Sequence, residues 1–380
     1  MYGRYRKVEL PRVIHISVAR YKQELPQPGE ALEFLVSLHE EGTGFTWQQN
    51  VKVDPKTEAF LIAATHDLHL WSLNAALTPK KVTDLVCQLG ASLYKTFIGA
   101  EGDKVLSSIP PTAVLLDVDE TIMNLPWELI AMSGGPVSER TPFGRLVTTR
   151  ILPQTGRDPK QEDSVVRILA VANPTLDLPA TEKVLAELES LEGQHMDFSI
   201  DVDVLAQENA TRKGFTKMLT GSDYDILHFA GHAFLDPNEP GSSALRFADG
   251  DLTANDILKL PWGKPPYFVF NSACESGRAV GGQRLVSAKS QSNGLAAAFL
   301  ACGVYGYAGY FWPVTDAGAG IFARTFYRSL FERQNVGLAF LDARREAISE
   351  LWDFSDLTGF SAILYGDAAS QHRRDMAMAA

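Results

Sequence analysis

From Val165 onward the chain alternates between two kinds of segment. Short runs rich in Val, Ile, Leu and Phe are separated by stretches whose apolar residues recur at helical spacing. The pattern predicts strands over 165–172, 199–205, 226–230, 267–271 and 303–311. It predicts helices over 181–191, with Thr181 as cap, and over 211–219, 253–260, 294–301, 317–332 and 336–351. A run such as Tyr267-Phe268-Val269-Phe270 has no polar face, so it needs cover on both sides. The expected fold class is therefore α/β, a mostly parallel sheet flanked by helices. In such sheets the reactive groups lie beyond the carboxyl ends of the strands.

Upstream the pattern is less regular. Residues 13–19 alternate like a strand, and 31–38 and 45–53 flank Glu-Gly-Thr-Gly at 41–44 like a hairpin. Residues 57–76 have helical spacing, and Thr78-Pro79 opens a second helix reaching about residue 98. Residues 113–117 form a short strand, Leu125-Pro126-Trp127-Glu128-Leu129 starts a helix, and 134–162 read as a long exposed loop. The organisation expected is a small N-terminal α+β region over 1–105, without assignable chemistry, a main domain over 106–370 and a flexible tail over 371–380.

Composition removes several function classes. The net charge of -11 argues against non-specific binding to nucleic acid or to an anionic membrane. The three cysteines, Cys87, Cys274 and Cys302, do not make a disulfide framework, and no Cys or His pair has zinc-ligand spacing. Neither a metal nor a cofactor is expected. The N-terminus has no apolar signal core and no apolar run is long enough to span a bilayer. The simplest expectation is a protein of the reducing cytoplasm, where a free thiolate survives.

Two segments carry reactive side chains just past apolar strands: Ile226-Leu227-His228-Phe229-Ala230-Gly231-His232 and Phe268-Val269-Phe270-Asn271-Ser272-Ala273-Cys274-Glu275-Ser276-Gly277. Neighbouring strands lie about 4.8 Å apart, so a His and a Cys at adjacent strand ends can face one cleft. An imidazole there takes the proton of the thiol or stabilises its thiolate, and returns the proton to a leaving amine. The backbone N–H of Cys274, with one from the turn at His232, is placed to hold an oxyanion.

These segments resemble the CHAT peptidases, caspase-like relatives of separase in clan CD. The likeness continues through residues 294–300, Gly309-Tyr310-Phe311-Trp312-Pro313-Val314-Thr315-Asp316, Phe326-Tyr327, Leu364-Tyr365-Gly366-Asp367 and, upstream, Leu125-Pro126-Trp127-Glu128. It covers roughly residues 110–368. The resemblance implies a caspase-like sheet and a cysteine endopeptidase with Cys274 as nucleophile and His232 as base. His228 is then a supporting or core residue. The residue after the base would donate an oxyanion N–H; the family usually has Gly there, and this chain has Ala233. The implied partners are a protein substrate, of pore-forming or effector type, and a protein activator, in a setting of antiviral defence or regulated death.

Glu275, Asp316 and Trp312 are candidates for a substrate pocket, the two acids for pairing with a basic side chain. Asp316 reads equally as a cap for the helix that follows, and Trp312 as core. Residues 278–293, with Arg278, Arg284 and Lys289, form either a cleavable activation segment or an active-site loop. Two other functions stay in view. One is a catalytically silent scaffold of the same fold. The other rests on Asp117-Val118-Asp119, which resembles the nucleophile motif of haloacid-dehalogenase-type phosphatases, with Gly221-Ser222-Asp223-Tyr224-Asp225 as a loose later motif.

Overall fold

The structure is a computed structural model that describes residues 12–21, 29–73, 78–107, 111–119, 122–132, 135–148, 165–194, 198–236, 239–278, 294–333, 335–351 and 356–370. Residues 279–293 of the expected loop over 278–293, and the tail over 371–380, lie outside the described residues. The strands are β1 (Val13–Arg20), β2 (Leu32–Glu40), β3 (Thr46–Val53), β4 (Ala113–Asp119), β5 (Ala131–Met132), β6 (Gly135–Pro136), β7 (Phe143–Thr148), β8 (Val165–Ala172), β9 (Gly193–Gln194), β10 (Ser199–Ala206), β11 (Ile226–Ala230), β12 (Ala233–Phe234), β13 (Ala244–Phe247), β14 (Gly250–Thr253), β15 (Phe268–Asn271), β16 (Gly306–Tyr310) and β17 (Ala362–Tyr365). The helices are α1 (Pro55–Leu73), α2 (Pro79–Leu93), α3 (Gly99–Ser107), α4 (Ala180–Ser190), α5 (Arg212–Gly221), α6 (Ala254–Lys259), α7 (Leu295–Ala301), α8 (Asp316–Arg333), α9 (Val336–Leu351) and α10 (Thr358–Ser361).

Among the described residues twelve strands form one sheet in the order β3-β2-β1-β4-β7-β17-β16-β15-β11-β8-β10-β9. β1, β4, β7 and β17 run parallel to one another, as do β16, β15, β11, β8 and β10. The two blocks meet antiparallel at β16 and β17, so their carboxyl ends open on opposite edges. The hairpin of β2 and β3 extends the sheet from β1, so the N-terminal strands share the sheet of the main domain.

Strand alternation sorts the core into two layers. Val114, Leu116, Leu169, Leu227, Phe229 and Val269 face the layer made by α1, α2, α5, α6 and α7. Leu115, Ile168, Ala170, Ile226, Phe268 and Phe270 face α4, α8 and α9. Both faces are covered, as the unbroken apolar strands required.

Three local expectations need correction. Residues 143–148, expected as exposed loop, form β7 within the sheet. Residues 125–129 give a single 3₁₀ turn, Trp127–Leu129, and no α-helix. One cause accounts for both. The buried guanidinium of Arg145 on β7 pairs with the carboxylate of Glu128, its Nε donating to Oε1 at 2.6 Å, and also donates to the Met123 and Leu125 carbonyls, each at 3.0 Å. The guanidinium thus holds these carbonyls in a non-helical turn, in which the Leu125 carbonyl also accepts the Trp127 N–H at 2.9 Å. Thr181, expected as the cap of α4, lies inside the helix and its hydroxyl donates to the Leu178 carbonyl at 2.7 Å.

The phosphatase reading fails on sheet order. Asp117 and Asp119 end β4, whereas Asp223 and Asp225 precede β11. Five strand spacings separate β4 from β11. At ~4.8 Å each that is about 24 Å, too far for one phosphate to meet both acidic fragments. Asp225 instead accepts the Arg167 backbone N–H at 2.9 Å.

Candidate active site

The site is set by the register of β11 and β15. Phe229 pairs with Asn271, and the Ser272 N–H donates to the Phe229 carbonyl at 2.7 Å, which extends the ladder beyond the strand. His232 and Cys274 each follow their register partner by three residues. The two therefore leave neighbouring parallel strands at one level of one sheet edge, about 4.8 Å apart in backbone spacing.

The turn after β15 is fixed by hydrogen bonds from β16 and β17. The Ser276 hydroxyl donates to the Asn271 carbonyl at 2.8 Å and accepts the Tyr310 N–H at 3.2 Å. The Tyr307 hydroxyl donates to the Ser276 carbonyl at 2.8 Å and accepts an N–H of the Asn271 amide at 2.8 Å. The Tyr365 hydroxyl donates to the Gly277 carbonyl at 2.7 Å. Gly309 lets this turn approach β16: a Cβ there would lie 2.6 Å from the Ser276 hydroxyl oxygen and 2.8 Å from the Gly277 nitrogen. Asn271 and Ser276 thus help to hold the turn that carries Cys274 in place.

Cys274 is partly buried. Its Sγ donates to the Val314 carbonyl at 3.6 Å and accepts the Val314 N–H at 3.4 Å. Burial pushes the thiol above its ordinary range, the Val314 N–H opposes this, and the charges of Glu275 and Asp356 add to the rise. The resting group is the neutral thiol.

His232 is half exposed, and its Nε2 lies 3.0 and 2.9 Å from the two carboxylate oxygens of Asp177. Asp177 sits in the turn after β8. Its carboxylate also accepts the Thr175 hydroxyl at 2.5 Å, and these two hydrogen bonds, Thr175 first, hold it below the usual carboxylate range. Ala233 begins β12 opposite Leu245, and the Arg246 N–H donates to the His232 carbonyl at 2.9 Å. In that antiparallel pattern the Ala233 N–H points away from β13. Ala233 does not adopt the left-handed conformation, so its Cβ is accommodated where the family usually has Gly.

His228 packs against Phe270 and Tyr327, under α8. It is fully buried, its Nδ1 is 3.0 Å from the Tyr327 hydroxyl, and burial lowers its pKa to about 3. It is a neutral core histidine beneath α8.

The three pocket candidates are not brought to the thiol as a set. Trp312 is fully buried, and its N–H and carbonyl bond the Ser361 hydroxyl, so it walls no open cleft. Asp316 accepts the Ala180 N–H at 2.7 Å and so braces the start of α4. The capping bond of α8 comes from Thr315, whose hydroxyl oxygen accepts the Gly318 N–H at 3.0 Å. Glu275, with a left-handed φ of 54°, turns to Arg278 (2.6 Å) and to His69 of α1 (3.6 Å). Arg278 also lies over the Phe311 ring at 5.6 Å.

Sequence reading missed two residues here. Asp177 carries no motif around it. Asp356 lies in a connection far along the chain, accepts the Thr315 hydroxyl at 2.5 Å and the Thr358 N–H at 2.6 Å, and its charge acts on Cys274.

A family model of the CHAT domain matches residues 88–361. The chain belongs to the CHAT domain family. No curated protein matches it. Among solved structures, two of the Saccharomyces cerevisiae separase–securin complex are similar to this CHAT protein. One aligns over 94% of the chain with a TM-score of 0.60 and 12% identity, the other over 93% with 0.55 and 12%. The chain spans 30% of the length of either separase chain. The Arg-specific cysteine proteinase gingipain R aligns over 80% of this chain and 74% of its own, at 11% identity and a TM-score of 0.46. The CHAT domain here thus shares the fold of the separase structures it aligns with, an α/β sheet flanked by helices. Among the described residues no helix is long and apolar enough to cross a membrane.

Proposed function

We propose that this CHAT protein is a cysteine endopeptidase in which Cys274 is the nucleophile and His232 the general acid and base. The observation that carries the reading is the shared register, which brings both residues off adjacent strands at one sheet edge. In the reaction His232 takes the thiol proton as Sγ attacks the scissile carbonyl carbon. The Cys274 and Ala233 backbone N–H groups hold the developing oxyanion. His232 then passes its proton to the leaving amine, and water resolves the thioester.

The neutral resting thiol fits a peptidase whose nucleophile is deprotonated only with substrate in place, because Val314 has to release Sγ before it can attack. A basic side chain next to the scissile bond is the specificity we propose. Asp356, whose charge reaches Cys274 while its carboxylate also accepts the Thr315 hydroxyl and the Thr358 N–H, is the partner we propose for it. The securin in the separase complexes supports a further proposal, that a partner protein controls access to the site. A role in defence or regulated death belongs to the same proposal.

The contact of Sγ with Val314, in place of an imidazole, favours a second reading, a silent scaffold. Incubation with a cellular extract, wild type against Cys274→Ala, with new N-termini mapped by mass spectrometry, separates the two. New termini that appear only with the wild type support the peptidase. Identical terminus sets from both proteins would leave the scaffold.

A further inference from the structure

We propose that Asp177 is a positioning residue, whose carboxylate accepts the His232 Nε2–H and so leaves Nδ1 as the nitrogen that exchanges a proton with Cys274. The inference rests on the peptidase reading of Cys274 and His232.

A carboxylate can only accept hydrogen bonds, and both oxygens of Asp177 lie within 3.0 Å of His232 Nε2. A neutral imidazole carries one N–H. With that N–H at Nε2 the Asp177 contact is a hydrogen bond; with it at Nδ1, a lone pair would face a negative charge. The contact therefore selects the Nε2–H tautomer, in which Nδ1 holds the basic lone pair. Once Nδ1 has taken the thiol proton, the same carboxylate faces an imidazolium, and the pair becomes more favourable as the reaction proceeds.

The turn holds Asp177 ready for this. The Asn173 N–H donates to the Ala230 carbonyl at 2.8 Å, which ties the start of the turn to the strand end that carries His232. The Asn173 side-chain oxygen accepts the Leu178 N–H at 3.0 Å, closing the turn around Asp177. Asn173 and Leu176 are left-handed, with φ of 48° and 66°, and the chain doubles back so that Asp177 meets the ring. The Thr175 hydroxyl restrains the carboxylate itself. Of these contacts, the His232 Nε2–H is the one that joins the carboxylate to a group of the cleft.

Nitrogen-15 NMR of histidine-labelled protein tests the tautomer without any substrate. The expected result is a His232 signal protonated at Nε2 in the wild type and a mixture of tautomers in Asp177→Ala. With a substrate from the terminus mapping, kcat of Asp177→Ala falls on the order of 100-fold while KM changes little, and Asp177→Glu recovers part of the loss. A wild-type ring protonated at Nδ1, a tautomer unmoved by Asp177→Ala, or an unchanged kcat would each overturn the proposal. A wild type with the Nε2–H signal but no cleavage of any substrate would overturn the peptidase reading, and the positioning role with it.

Discussion

The Cys274 thiol sits between the two backbone polar groups of one residue, donating to the Val314 carbonyl and accepting the Val314 N–H. Since burial raises its pKa, the thiolate fraction is below that of a free cysteine at every pH under that pKa. Alkylation of Cys274 by iodoacetamide is therefore expected to be slow at pH 7 and to keep accelerating above pH 9. Cys302, buried and pushed up to about 11, should lag behind it. Peptide mass spectrometry of the modified sites measures both. A rate for Cys274 that has already levelled off at neutral pH would show a resting thiolate and refute this.

Glu128 and Arg145 form an ion pair sealed from water. Removing one member leaves the other charged and buried, so Glu128→Ala should destabilise the protein by about 3–5 kcal/mol. Glu128→Gln, which keeps the acceptor oxygen, should cost less. Urea unfolding of the three proteins measures the order. A loss below about 1 kcal/mol in Glu128→Ala would mean that water reaches Arg145.

His228 is buried neutral, with its folded pKa lowered to about 3. The unfolded chain binds a proton at this residue near pH 6.5 and the folded chain does not, so stability falls as pH drops below 6.5 and stops falling near pH 3. The slope is about 1.4 kcal/mol per pH unit, about 5 kcal/mol across the window. His228→Gln should flatten this acid slope in denaturant melts at pH 7, 6, 5 and 4. Equal slopes in both proteins would contradict the assignment.

Gly309 has no room for a methyl group against the Ser276 hydroxyl and the Gly277 nitrogen. Gly309→Ala should cost about 1–3 kcal/mol and shift the turn that carries Cys274. Cleavage should fall further than the stability loss explains, measured at a temperature where both proteins remain folded. Full activity in Gly309→Ala would show that the turn is not held by this contact.

Much of the fold was legible because its strands are apolar on both faces and end in small residues, as at Ala230-Gly231 and Ser272-Ala273. Hence His232 and Cys274 could be placed at strand ends before their register was known. β7 was hidden, because Gly144 and Arg145 look like loop until Arg145 is paired with Glu128 and the Met123 and Leu125 carbonyls. For a related reason sequence left Asp316 between pocket and cap, and Trp312 between pocket and core. Their partners, the Ala180 N–H and Ser361, lie 136 and 49 residues away, and no local periodicity reveals them. Asp177 reads from sequence as one more acid in a turn, and only the ring of His232 beside it distinguishes it.

The claim that Cys274 and His232 act as one unit is tested most directly by the cleavage rates of Cys274→Ala, His232→Ala and the double variant on a substrate found by terminus mapping. Circular dichroism confirms that each is folded. The account predicts that either single substitution lowers kcat/KM on the order of 1,000-fold or more and that the double variant loses no more than either. A His232→Ala protein that cleaves at the wild-type rate, or losses that multiply in the double variant, would contradict it.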